Sequence, residues 1–323
     1  MRNLPQVSLI RAQSYDQKLC DAVETLLQPL GGMSAFVKAG DRVLLKPNLL
    51  TGSRPGKECT TRPELVHAVA KMVLDLGGKP FLGDSPAFGS AKGVAIANGY
   101  QSLIADLKLP VVEFHGRRYQ TASDAFNHLL LCKEAMEADA IINLPKVKSH
   151  SQLTLTLGVK NLFGCVPGKM KAWWHMEAGK DVDRFGQMLV ETARAINPNL
   201  TIIDGIIGHE GNGPSGGEPR HLGILGASPD VFALDRAMIE ILQVAPEQVP
   251  TIAAQARLEL CTTLDEIHFP LAHPTALKIE NWQLPDALMP IDFGMPRVIK
   301  STFKHFYIRW IKEPIKIYAS RSS

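Results

Sequence analysis

Strand-like and helix-like segments alternate along most of the chain, and this alternation limits the fold more than any other feature of the sequence. The pattern predicts strands over residues 6–12, 41–50, 109–116, 138–146, 199–208 and 221–228, and helices over residues 15–32, 61–79, 90–107, 181–196 and 229–242. Strands that alternate with helices form βαβ units, in which the strands are parallel and the helices cover the sheet. We therefore predict an α/β fold with a mainly parallel sheet and helices on both of its faces.

Polar segments rich in glycine or proline directly follow four of the apolar runs. They read KPNLLTG, GDSPAFGS, PKVKSHS and DGIIGHEGNGPSGG, and begin at residues 46, 83, 145 and 204. In Rossmann-like sheets, ligands bind outside the carboxyl ends of the parallel strands. The sequence thus predicts a ligand site where the loops after residues 45, 83, 143 and 204 converge.

The third of these segments carries the strongest chemical signal. If the strand continues, Lys146, Lys148 and His150 point to one face, because strand side chains repeat with a period of two. Clustered ammonium groups favour an anionic ligand such as a phosphate or carboxylate. Further polar candidates for the same site follow in the chain, namely Thr154, Lys160 and Asn161. The alternative is a solvated basic loop, but the density of polar residues between apolar segments favours a ligand site.

The first segment places Lys46 and Asn48 directly after a buried strand. A lysine at such a position requires a partner. Two readings are equally supported by the sequence. Lys46 is either a second contact for the anion, or it pairs with a structural acid such as Asp84.

The fourth segment supplies carboxylates. Asp204 lies at a strand end, and His209 and Glu210 follow in a glycine-rich loop. Such a set suits a divalent metal ion or a base that abstracts a proton, whereas the alternative is a glycine loop with capping polar groups. The candidate catalytic residues are Asp204, Glu210 and His150, and the sequence does not identify the metal.

The motifs VLLKPNLL, GDSP, NLPKVKSHSQLTLTLGVKNLFGCVPG and DGIIGHEGNGPSGG resemble sequence blocks of the domain-of-unknown-function 362 family, over roughly residues 5 to 245. Many members resemble iron–sulfur proteins, because a ferredoxin-like cysteine motif follows the domain. This chain has five cysteines and no such motif, so we do not expect an iron–sulfur cluster. The block around His150 and Lys160 is also loosely similar to the nickel-pincer lactate racemase family, although no residue role is carried over.

These features predict an enzyme that binds an anionic substrate or cofactor, with or without a divalent metal ion. Two alternatives stay open. One is a non-catalytic protein that binds or delivers an anion or metal centre, and the other is an iron–sulfur electron carrier. No nucleic-acid reader motif is present, so we expect no nucleic acid partner.

The chain divides by charge into a body, residues 1–296, and a basic tail, residues 297–323. The length of the body fits either one large domain or two lobes. The tail has seven basic residues and one acidic residue, whereas the whole chain has a net charge of only +3. Ile299, Phe303, Phe306 and Trp310 would form one apolar stripe on a helix. The tail is therefore predicted to lie on an anionic membrane surface, or to dock on a protein partner, a second subunit or the body itself. We expect a cytoplasmic protein, peripheral to the inner membrane face if the tail binds lipid.

Overall fold

The computed structural model describes residues 4–53, 56–168, 181–260 and 263–290. Its strands are β1 (Ser8–Arg11), β2 (Arg42–Pro47), β3 (Lys79–Gly83), β4 (Val111–Val112), β5 (Gly116–Gln120), β6 (His128–Cys132), β7 (Ala140–Leu144), β8 (Lys146–His150), β9 (Thr154–Thr156), β10 (Leu200–Glu210) and β11 (Glu218–Ser228). Its α-helices are α1 (Leu19–Leu27), α2 (Pro63–Asp75), α3 (Ala91–Ala97), α4 (Gln101–Asp106), α5 (Lys133–Met136), α6 (Gly158–Leu162), α7 (Val182–Ile196), α8 (Val231–Ile241) and α9 (Pro250–Arg257).

Five parallel strands form the centre of the main sheet, in the order β4, β3, β2, β7 and β10. Strands β11 and β1 extend it in antiparallel fashion on the β10 side. Strands β5 and β6 form a separate antiparallel pair. The predicted α/β class with a mainly parallel sheet is confirmed.

Alternating side chains of the central strands enter different cores. Val43 and Leu45 of β2 pack with the apolar faces of α1 and α2, whereas Leu44 packs with residues of α6 and α7. The same alternation in β10 places Ile202 with the first group and Ile203 with side chains of α8. Each fully buried aliphatic side chain contributes about 1.5–3 kcal/mol by leaving water. The helices therefore cover both faces of the sheet, as predicted.

Strands β7 and β8 are consecutive segments separated by one proline, Pro145. Strand β7 pairs with the start of β10, and β8 pairs with its later part, where Asp204 lies opposite Lys146 and His209 lies opposite Lys148. Proline has no backbone N–H for the ladder, but its carbonyl accepts a hydrogen bond from the Asp204 N–H at 2.8 Å. All five residues of β8 are buried. The lysines of this segment consequently belong to a strand inside the protein, and a solvated basic loop is wrong.

Within the described ranges, no helix is both long and apolar enough to cross a membrane. The predicted tail, residues 297–323, lies outside these ranges.

Candidate ligand site

Buried polar side chains from several strand ends meet at the carboxyl edge of the parallel sheet. Three of them are lysines, Lys46 of β2 and Lys146 and Lys148 of β8, and each is at most 1% exposed. The site also contains Asn48, Asp84, Asn143, Asn161 and Asp204. The structure thus brings six of the residues singled out in the sequence into one cluster, namely Lys46, Asn48, Lys146, Lys148, Asn161 and Asp204.

Lys46 is paired with a structural acid. Its Nζ lies 2.9 Å from Asp84 Oδ1 and also donates to the Pro47 carbonyl and to Asn161 Oδ1, at 2.7 and 3.3 Å. Gly164 lies directly against this pair, since a Cβ atom there would be 2.1 Å from Asp84 Oδ1 and 2.5 Å from Lys46 Nζ. The structure therefore supports the second interpretation of Lys46, in which this lysine forms an ion pair with Asp84.

Lys146 belongs to a second buried ion pair. Its Nζ lies 3.0 Å from Asp204 Oδ2 and 3.0 Å from the hydroxyl oxygen of Tyr15. The Tyr15 hydroxyl donates to Asp204 Oδ1 at 2.5 Å, and the Arg62 backbone N–H donates to Asp204 Oδ2 at 2.9 Å. Burial, together with the Asp204 charge, raises the pKa of Tyr15 far above its ordinary value, so its hydroxyl keeps its proton. Asp204 is therefore fully committed to partners within the protein.

Lys148 differs from both neighbouring lysines. Its Nζ donates to Asn48 Oδ1 at 2.8 Å and to the Cys59 carbonyl at 2.6 Å. Among the described residues, no carboxylate lies within 4.0 Å of this nitrogen. The pKa of Lys148 is lowered to about 7, and burial is the largest cause. Cys59 and Asp84 oppose this shift, whereas the positive charges of Lys146 and Lys46 act in the same direction as burial. The amine is therefore close to its titration midpoint at neutral pH.

A chain of amides holds the loop after β2 against helix α6. Asn48 Nδ2 donates to Asn161 Oδ1 at 2.9 Å, and Asn161 Nδ2 donates to Asn143 Oδ1 at 2.8 Å. Asp235 fixes the first turn of α6 by accepting the N–H groups of residues 158 and 159, at 2.7 and 2.9 Å. Burial raises the pKa of Asp235 to about 7. Neither Asn143 nor Asp235 is among the site residues that the sequence predicts.

Two predicted site residues make their hydrogen bonds outside the lysine cluster. The Thr154 hydroxyl donates to the Gln248 carbonyl. Glu210 forms an ion pair with Arg220 at 2.9 Å and accepts the Gln283 N–H at 3.0 Å. Both residues thus link the end of the sheet to surrounding segments.

His150 and Lys160 are also placed by local contacts. His150, on β8, accepts the Gln152 N–H through Nδ1 at 3.1 Å. Lys160 Nζ lies 4.9 Å from the centroid of the Phe163 ring. A role for either residue in ligand binding stays a prediction.

His209 lies beside Lys148 on the neighbouring strand. It is buried, and its Nε2 accepts the Gly217 N–H at 3.1 Å. Burial, followed by the Lys148 charge, lowers the pKa of His209 to about 4, so this imidazole is neutral at pH 7. The described part of the chain contains no group of three or more His, Cys, Asp and Glu side chains arranged to hold a metal ion.

A cleft of about 670 Å³ adjoins the cluster, a volume within the range of small-molecule sites. Its lining includes Tyr15, Glu58, Thr60 and Arg62. Tyr15 contacts Lys146 directly, and Glu58 Oε2 lies 3.7 Å from Lys146 Nζ. Glu58 and Thr60 flank Cys59, whose carbonyl accepts a hydrogen bond from Lys148. The cleft therefore extends to the segment that contacts Lys148.

Known proteins that are similar to this chain identify the same family as its sequence motifs. The family described as a domain of unknown function (DUF362) matches residues 43–240. A thylakoid-associated protein of Synechocystis sp. is 66% identical over 317 residues, which cover 98% of this chain and 99% of that protein. The lactate racemase apoprotein from Thermoanaerobacterium thermosaccharolyticum is 15% identical with a TM-score of 0.42, over 61% of this chain and 50% of its own. The chain therefore belongs to the DUF362 family, and the resemblance seen in its motifs is confirmed.

Proposed function

We propose that this DUF362 protein is an enzyme that binds a small anionic molecule beside the buried amine of Lys148 and exchanges a proton through that amine. One observation carries the proposal. Lys148 meets only uncharged oxygen acceptors among the described residues, whereas Lys46 and Lys146 each have a carboxylate partner. A lysine that titrates near neutral pH is suited to act as a general acid or base.

The missing counter-charge explains why the ligand should be an anion. A buried ammonium group without a partner costs several kcal/mol, and a bound anion offsets this cost by stabilising the charged form. The two neighbouring ion pairs, Lys46 with Asp84 and Lys146 with Asp204, cancel their own charges. Protonation of Lys148 then leaves one uncompensated positive charge, which a carboxylate or phosphate group neutralises.

The proposed proton exchange needs no divalent metal ion, which the sequence leaves open. Asp204 is held by Lys146 and Tyr15, and Glu210 is held by Arg220. A metal ion at either carboxylate would therefore compete with the positive charge of its partner.

Binding of anions should be coupled to proton uptake. Calorimetric titrations with oxalate and inorganic phosphate, in buffers of different ionisation enthalpy, measure the protons taken up per anion. We expect uptake of about one proton at pH 8, because the anion raises the pKa of an amine that is mostly neutral before binding. Lys148→Met should abolish the uptake, whereas Lys38→Met, which removes an exposed lysine, should retain it.

Proton uptake that persists in Lys148→Met, or anion binding without proton uptake, would contradict the proposal. Failure of both anions, and of a panel of dicarboxylates and phosphate monoesters, to bind would also count against it. Turnover of a bound anion separates the enzyme from a non-catalytic carrier.

We also propose that the protein associates peripherally with a thylakoid membrane surface through residues 297–323. The proposal is supported by the 66% identical relative, which is named as thylakoid-associated, and by the basic, amphipathic pattern of the tail. Each basic residue near an anionic bilayer contributes about 1 kcal/mol, and salt screens this attraction.

Co-sedimentation tests this association. The full chain should bind vesicles containing phosphatidylglycerol more strongly than neutral phosphatidylcholine vesicles, and high salt should release it. Deletion of residues 297–323 should remove the binding. Equal binding after the deletion would exclude the tail as the membrane contact.

A further inference from the structure

The hydrogen bonds of Lys148 match those of a neutral amine. A neutral amine has two N–H donors and one lone pair, whereas an ammonium group has three donors and no lone pair. Lys148 Nζ donates to two acceptors, Asn48 Oδ1 and the Cys59 carbonyl, and the described residues supply no third. Both donors of the neutral amine are thereby used, and its lone pair is left without a partner.

Lys46 provides the contrast within the same site. Its Nζ has three oxygen acceptors, those of Asp84, Asn161 and the Pro47 carbonyl. Three acceptors satisfy an ammonium group completely, and one of them carries the opposite charge. Two lysines with similar burial therefore have different sets of partners, and only Lys148 lacks a carboxylate among the described residues.

The surroundings of Lys148 also favour nucleophilic chemistry. A desolvated lysine is an activated nucleophile, because burial favours the neutral amine over the ammonium group. Burial is the main reason that the pKa of Lys148 is low; Lys146, two residues away on the same strand, and Lys46 add to this effect, whereas Cys59 and Asp84 oppose it.

We infer that Lys148 forms an imine with an anionic aldehyde or ketone, an inference that rests on the proposed anion site. The Nζ lone pair attacks the carbonyl carbon and gives a carbinolamine. The carbonyl oxygen then leaves as water with the two hydrogen atoms of the amine, and a C=N bond replaces the C=O bond. No oxidant or reductant takes part. The anionic group of the ligand stabilises the protonated imine in the same way as it stabilises the ammonium group.

Reductive trapping tests this inference on the full-length protein. Glyoxylate, a small anionic aldehyde, is supplied at pH 7 with sodium cyanoborohydride, which reduces an imine to a stable secondary amine. Peptide mapping by mass spectrometry then compares the labelling rate of Lys148 with that of exposed lysines such as Lys18 and Lys38. About half of Lys148 is neutral at pH 7, against a fraction of roughly 10⁻³ to 10⁻⁴ for an ordinary lysine. We expect Lys148 to be labelled at least about 10-fold faster than these exposed lysines, despite its burial.

Two controls separate the possible failures. Oxalate, which has no aldehyde or ketone carbonyl, should slow the labelling of Lys148, and acetaldehyde, which has no charge, should label it more slowly than glyoxylate. Labelling of Lys148 no faster than that of exposed lysines overturns the imine, and the anion site still stands if oxalate binding takes up a proton through Lys148. If this proton uptake is also absent, both the imine and the proposed function are wrong.

Discussion

Between pH 7 and pH 9, Lys148 should make the free energy of unfolding rise with pH. In the folded protein its pKa is about 7, whereas the ordinary value, expected for the unfolded chain, is 10.5. Between these values the unfolded chain binds a proton that the folded protein has released. Stability therefore rises with pH across this window, and the full penalty of the buried amine is present below pH 7. From pH 7 to pH 9, this single group raises the free energy of unfolding by about 2 kcal/mol.

Lys148→Met isolates this contribution, because methionine fills a similar volume without a titratable group. The substitution also leaves Asn48 Oδ1 and the Cys59 carbonyl without a donor. That cost, about 1–3 kcal/mol for each acceptor, does not vary with pH and shifts the whole profile by a constant. The difference in stability between wild type and variant should therefore grow by about 2 kcal/mol in favour of wild type from pH 7 to pH 9.

Urea unfolding at several pH values, followed by circular dichroism, provides the measurement. Lys38→Met controls for the loss of one positive charge, because Lys38 is exposed. A difference between wild type and Lys148→Met that stays constant within about 0.5 kcal/mol from pH 7 to pH 9 would refute the depressed pKa. A difference that changes in the opposite direction would mean that the folded protein stabilises the ammonium form.

Two further substitutions test how the site is built. Gly164→Ala places a Cβ atom 2.5 Å from Lys46 Nζ, so it should separate the buried ion pair and lower the free energy of unfolding by about 3–5 kcal/mol; a loss below about 1 kcal/mol in urea unfolding would show that the pair relaxes freely. Glu210→Gln removes a partly exposed ion pair, so it should cost about 1 kcal/mol or less and leave anion-linked proton uptake unchanged in calorimetry; loss of that uptake would place Glu210 in the site.

Much of the fold follows from local signals in the sequence. The predicted strand over residues 199–208 corresponds to β10, and the predicted helix over residues 229–242 corresponds to α8. Both have long apolar patterns with clear flanking signals, so local and tertiary preferences agree. The strand predicted over residues 109–116 is wrong in extent, because only Val111 and Val112 pair with β3. Val112 pairs with Gly83, the last residue of β3, so the pairing stops there because the partner strand ends.

The site was predictable where side chains repeat along a strand or directly follow a strand end. The period of two placed Lys146 and Lys148 on one face, and the strand-end rule placed Asp204 beside them. Tyr15 escaped prediction because it reaches Asp204 from a segment 189 residues away. The Cys59 carbonyl could not be predicted for a different reason, since every residue has a backbone carbonyl and the sequence does not show which one accepts a hydrogen bond.

The amide of Asn48 explains why the third lysine of the cluster has no carboxylate partner. Its Nδ2 donates to Asn161 Oδ1, and its Oδ1 accepts from Lys148 Nζ. A carboxylate at this position would pair with Lys148 and hold it as an ammonium group, but it would have no donor to offer to Asn161. Asn161 in turn must present an oxygen to residue 48, because its own Nδ2 is used by Asn143. The orientation of one amide therefore fixes that of the next, and the chain of amides ends on the amine that we propose as the reactive group.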